Sequence, residues 1–218
     1  MHDIPERPNG AASKRSRTRR DQQRADTRTR VFDAALAEFR RVGVESARVS
    51  DICRAAGVAK GTFFFHFPAK DDVLLERQRR ISEAMAKRIE SEIGAAHDAA
   101  EFIDRLVAIV LDEHMAVGDP ELVRQINLAI VRRAGTSTLG AQHTAFGGAL
   151  ATQIRRLCGE GALRADIDPM GLADCLRLSF FGFLVDPQFA FDTGRSRMKV
   201  LGNLLAAALA DQGETEQK

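Results

Sequence analysis

Apolar residues recur at helical spacing through nearly the whole chain. Val31, Phe32, Ala35, Leu36 and Phe39 fall at spacings of three to five residues, which predicts an amphipathic helix from about Thr27 to Val42, closed by Gly43. Ile52, Ala55 and Ala56 put one apolar face on a short helix beginning near Val49, and Gly57 can end it in a left-handed conformation without steric cost. A second short helix is predicted from about Lys60 to His66, because Pro68 disfavours helical backbone at Phe67. Leu74, Ile81, Met85 and Ile89 then carry one stripe through a long connector that stops at Gly94. Further helices are predicted at about 98–117, 121–134, 139–158, 169–185 and 194–211, with breaks at Gly118 to Pro120, Gly135 to Ser137, Gly159 to Gly161 and Asp186 to Pro187. No strand pattern competes, and no internal repeat is present.

Residues 52 to 70 therefore read as two short helices around a glycine turn, with Thr27 to Val42 as their support. Three such helices can share a small core that includes Phe39, Ile52, Phe63 and Phe67. Ile52, Ala56, Gly57, Val58, Gly61, Thr62, His66, Phe67 and Lys70 also match, position by position, the DNA-binding motif of the TetR family of bacterial transcription regulators, which the segment closely resembles. The resemblance implies an all-α fold: a three-helix helix-turn-helix DNA-binding domain joined by a long helix to a larger helical ligand-binding and dimerisation domain. The corresponding division is a basic disordered arm at 1–26, the DNA-binding domain at 27–87 and the effector-binding and dimerisation domain at 88–218. It further implies that Lys60, Gly61, Thr62, Phe63 and Phe64 approach base edges and sugars, while Arg48, Ser50, His66 and Lys70 hold phosphates.

The departures from the motif have physical content. Phe64 stands where the family has tyrosine, so no hydroxyl is available for a phosphate. Ala59 and Ala69 replace serines that would cap the following helices, and a lost cap costs about 1 kcal/mol. Arg48 occupies the usual capping position of the helix near Val49.

Charge is distributed unevenly. The whole chain carries +2, but residues 1 to 80 contain 18 Lys and Arg against 11 Asp and Glu, and the remainder is net negative. The positive half is the half with the DNA-reading motif, as phosphate neutralisation requires. Lys14, Arg15, Arg17, Arg19, Arg20, Arg24, Arg28 and Arg30 crowd the segment ahead of the first amphipathic helix. The part before Asp21 has almost no apolar residues and is expected to be disordered when free, serving either as an arm along the DNA backbone or minor groove or as a solvated leader.

The last two helices are more apolar than one wet face allows. Leu176, Phe180, Phe183, Leu201, Leu205 and Leu209 form either a homodimer interface or internal core, and the family resemblance favours a homodimer on a palindromic double-stranded operator. Gly182, Gly202 and Ala206 would let such helices approach closely. Phe102, Leu106, Ile126, Ile130, Phe146 and Leu150 either line an effector cavity or are ordinary core. An apolar or amphipathic small molecule is the effector class that the resemblance implies.

Other chemistries find little support. His97 with Glu101, and Glu113 beside His114, lack a third ligand at telling spacing, so no metal or cofactor is expected. His143 either lines the pocket or faces water. Cys53, Cys158 and Cys175 are odd in number and widely spaced, which argues for a reducing cytoplasm, with Cys53 a weak redox-sensor candidate. No apolar run is long enough to cross a membrane, no secretory signal is evident, and no nucleophile motif, phosphate loop or carboxylate pair suggests an enzyme. The expected function is a ligand-released repressor; the alternative is an effector-independent DNA-binding dimer that recruits a protein.

Overall fold

The computed structural model describes residues 11–134 and 144–210 and is helical throughout its regular elements. Two compact units divide at Val73 and Leu74. The first contains α1 (Ala11–Val42), α2 (Val49–Ala56), α3 (Lys60–His66) and the start of α4 (Lys70–Glu92). The second contains most of α4, a single 3₁₀ turn (Ile93–Ala95), α5 (Ala99–Met115), α6 (Pro120–Ala134), α7 (Thr144–Gly159), α8 (Pro169–Val185) and α9 (Phe191–Leu209). No described helix is long and apolar enough to cross a membrane.

α1 is the main departure from the predicted elements. It begins at Ala11 and runs for 32 residues, so the described part of the basic segment is helical where disorder was expected. The sequence from Ala11 to Val42 has neither glycine nor proline and is rich in Ala, Arg and Gln, all compatible with helix even where no apolar stripe exists. Periodicity detects burial, and this extension buries little: Arg19 to Asp26 are all exposed. Residues 1–10, the break at Gly135 to Ser137, His143 and the start of the 139–158 helix lie outside the described residues.

The first unit is built around aromatic side chains. Phe32, Phe39, Phe63 and Phe67 are all buried, with Val31, Ala35, Ile52 and Ala56 filling the gaps between them. The ring of Phe67 lies 6.4 Å from Phe32 and 6.1 Å from Phe63, which joins α1, α3 and the residue after α3. Gly57 ends α2 with φ +65°, and the next amide, Val58, donates back to the Cys53 carbonyl at 3.0 Å. A side chain at Gly57 would strain this left-handed turn, which sets the angle between α2 and α3.

In the second unit α9 packs on α5, and α8 packs on α6 and α7. Gly202 permits the first contact, since a Cβ there would sit 2.9 Å from Ile103 Cγ2. α5 and α8 begin with firm caps: Asp98 accepts from Glu101 N, and Asp168 accepts from Met170 N and Gly171 N. Arg88 on α4 pairs with Glu92, and across to α5 with Asp112 and Glu113.

Candidate functional site

The phase of α3 follows from two buried rings. Phe63 and Phe67 stand four positions apart, and both face the core. Lys60, Gly61, Phe64 and Phe65 consequently face outward, with Thr62 and His66 half-buried at the edges. Phe63 is 0% exposed, which corrects its expected role at the DNA: it anchors the helix and cannot enter a groove. Phe64 and Phe65 are 42% and 60% exposed and form the apolar part of the presented surface.

Phe65 was not among the expected contacts. Three consecutive phenylalanines, at about 100° per residue, cannot all face one core, so the choice of Phe63 turns its two neighbours outward. The Arg24 guanidinium of α1 lies 4.5 Å from the centre of the Phe65 ring. The Lys60 ammonium lies 5.9 Å from the Phe64 ring. Lys60 of α3 and Arg24 of α1 thus each stand beside an exposed ring of α3, a pairing suited to phosphates, sugars and thymine methyl groups.

Arg48 and Ser50 are exposed at the start of α2. Arg48 adopts extended backbone there without a side-chain cap, so its guanidinium remains outside the helix hydrogen-bond pattern. Lys70 differs from expectation. Its ammonium donates to the carbonyls of Val44, Glu45 and Ala47 at 2.8, 3.2 and 3.1 Å, which uses all three of its N–H bonds to close the loop between α1 and α2. A phosphate at this position would have to displace those carbonyls.

His66 is drawn below its ordinary value, first by burial and then by the nearby Arg28 and Arg24 charges. Its backbone carbonyl accepts from Arg28 Nη1 at 2.8 Å. Cys53 is buried beneath the turn, and that burial pushes its thiol up despite the opposing charge of Lys60. A thiol held protonated is a poor redox sensor.

A second site lies within the second unit. A cavity of about 30 Å³ is lined by Gln78, Ser82 and Met85 of α4, Val110 and His114 of α5, Asn127 of α6, Phe146 of α7, and Arg177, Phe180, Phe181 and Leu184 of α8. Of the six expected pocket residues only Phe146 lines it. Phe102, Leu106, Ile126, Ile130 and Leu150 are buried core instead. The polar lining was missed, because a polar residue on a buried face leaves no trace in an apolar repeat.

The expected dimer residues also separate. Leu176, Phe180 and Leu209 are buried within the protomer, and Phe180 reaches the cavity. Phe183, Leu201 and Leu205 are half-buried. Leu178, Val200 and Leu204 are 56%, 63% and 67% exposed and carry the uncovered apolar surface of α8 and α9. Gly202 serves packing inside the protomer rather than between copies. Glu101 accepts from the backbone N–H of His97 and pairs with Arg105, so it closes the start of α5 instead of forming half of a metal site.

Residues 31–76 match the family of bacterial regulatory proteins described as the tetR family. Over these residues the chain is similar to the TetR family. The match spans the rings, the glycine turn and the presented helix described above. Beyond it, the chain is 27% identical over 162 residues to the HTH-type transcriptional regulator UidR of Escherichia coli K12, covering 73% of this chain and 81% of UidR. The fatty acid metabolism regulator protein of Bacillus subtilis is 31% identical over 101 residues, 46% of this chain and 48% of that protein. FadR of Thermus thermophilus, solved with lauroyl-CoA, shares the fold with a TM-score of 0.68 at 19% identity, over 88% of this chain and 98% of that one.

Proposed function

We propose that this chain is a regulator of the TetR family, a homodimeric repressor that reads a palindromic operator and is released by a small molecule. The observation that carries the reading is the face of α3, where Lys60, Gly61 and Phe64 stand exposed on a helix held in place by buried Phe63. In this reading Arg48, Ser50, Thr62 and His66 flank that face, and Phe65 with Arg24 extends it toward α1. The arm at 1–26 follows phosphates beyond the motif, residues 27–87 carry the DNA contacts, and 88–218 carry the effector and dimer surfaces. The chain acts in the cytoplasm, by binding rather than turnover. Support for an effector comes from the cavity beside α4, the helix that begins three residues after Phe67 and contributes Gln78, Ser82 and Met85 to the lining. Ligand there would favour one arrangement of the reading helices only by as much as it prefers that state.

Binding of Lys60→Ala to DNA from the chain's own upstream region, followed by fluorescence anisotropy, tests the proposal. The variant is expected to bind at least about tenfold more weakly, a loss of about 1.4 kcal/mol, with unchanged helicity. Near-normal affinity would remove α3 from the interface.

A further inference from the structure

The cavity of the second unit contains polar atoms that the protein leaves without partners. Gln78 Oε1, Ser82 Oγ and His114 Nε2 are buried and make no hydrogen bond. All three residues line the same space, and their relative exposures are 6%, 2% and 1%. A buried polar atom left unpaired costs on the order of 1–3 kcal/mol, so three at one cavity point to something that enters and pairs with them.

The protonation of His114 narrows what that can be. Its Nδ1 lies 2.7 Å from the Val110 carbonyl, which can only accept, so Nδ1 carries the hydrogen. Burial, reinforced by the Arg77 charge and opposed by the Val110 bond, lowers the ring to about 4, so it is neutral near pH 7. Nε2 therefore presents a bare lone pair. Gln78 Oε1 likewise only accepts, whereas the Ser82 hydroxyl can donate as well as accept. Arg177, the cation of the lining, is paired with Asp174 at 3.3 Å. Asn127 also lines the space, its Nδ2 donating to the Val123 carbonyl at 2.9 Å, and the rest of the wall is apolar: Met85, Val110, Phe146, Phe180, Phe181 and Leu184.

From this juxtaposition, and resting on the effector reading above, we infer that the cavity takes a small neutral molecule bearing a hydroxyl on an apolar body, a phenol or an alcohol. Its single O–H donates to the bare Nε2 of His114, and its oxygen accepts from the Ser82 hydroxyl, leaving Gln78 to a water or a second hydroxyl. A carboxylate brings lone pairs against lone pairs at His114 and Gln78. A bare hydrocarbon leaves all three atoms unpaired and excludes the water that would otherwise reach them. The space has room for about two waters as it stands, so even a ligand of one ring enters only as the lining side chains move apart, and larger ones are disfavoured.

Phenol, toluene and benzoate form a matched set of probes, and calorimetry on the full-length protein without DNA measures each directly. Phenol is expected to bind at least about tenfold more tightly than either of the others. In His114→Leu the preference over toluene should collapse; should that variant fold poorly, Ser82→Ala is expected to narrow the preference with helicity retained. Equal affinity for phenol and toluene, tighter binding of benzoate, or no binding of phenol at millimolar concentration would overturn the inference. Release of operator, measured separately, keeps the two readings apart. Phenol bound selectively while the operator is retained would sink the effector reading and leave this one standing. Release by another compound, with phenol and toluene bound equally, would do the reverse.

Discussion

Arg28 donates from Nη1 to the backbone carbonyl of His66 at 2.8 Å, tying the support helix to the last residue of the presented helix. The same guanidinium lies 4.4 Å from the centre of the Phe67 ring. One side chain thus satisfies a carbonyl at the end of α3 and covers the ring that anchors it. Arg28→Ala is expected to lower stability by about 1–3 kcal/mol, read as a shift in the urea midpoint, with Arg28→Lys recovering only part because it lacks the planar fork. The His66 ring should titrate higher in Arg28→Ala, yet stay below its ordinary value, because burial is the larger cause of its lowering. Proton NMR of the ring reads this directly.

Ala59 precedes α3 in extended backbone, φ −72° and ψ 154°, with no side chain to meet the free N–H groups of the first turn. Serine at this position has the right backbone conformation already. Ala59→Ser is expected to stabilise the protein by about 1 kcal/mol, raising its melting temperature without moving the rings beneath. A neutral or negative shift would mean that the first turn of α3 is satisfied by other means.

His114 makes stability depend on pH. Its folded value of about 4 lies below the ordinary 6.5, so below about 6.5 the unfolded chain takes up a proton that the folded ring refuses. Stability therefore falls as pH drops through that window and the effect is complete near the folded value. Between pH 7 and pH 5 the wild type is expected to lose about 2 kcal/mol more than His114→Gln, measured by denaturant unfolding of both at each pH. Parallel curves would show that the ring is more accessible to water than its burial implies.

Leu178 and Leu204 stand exposed in the protomer, whereas Leu176 is 1% exposed. Leu204→Asp or Leu178→Asp is expected to yield a folded monomer in sedimentation experiments, while Leu176→Asp should unfold the second unit. A dimer that survives both surface changes would place the interface elsewhere.

How much of this was legible beforehand depends on the kind of signal. The bounds of α3 were clear because Lys60 follows a glycine turn and Pro68 stops the helix. α8 was equally clear, since Asp168 and Pro169 form a capping pair and Asp186 with Pro187 ends it. Its faces were not, because apolar residues surround α8, and nothing in such a pattern distinguishes Leu176, which is buried, from Leu178, which meets water. Lys70 was misjudged for a related reason: charge in a sequence says nothing of the three carbonyls waiting within reach. The unpaired trio at the cavity was invisible because glutamine, serine and histidine on a buried face spell the same letters as on a wet one.

The presented helix is only seven residues long. At about 1.5 Å per residue it spans roughly 10 Å, the rise of about three base-pair steps. A word of about four letters recurs by chance roughly every 256 positions, far too often to mark one address among the ~10⁶ or more positions of a genome. Information, not affinity, is what a lone copy lacks: two copies at a set separation square the odds, and the distance between the words becomes part of the message.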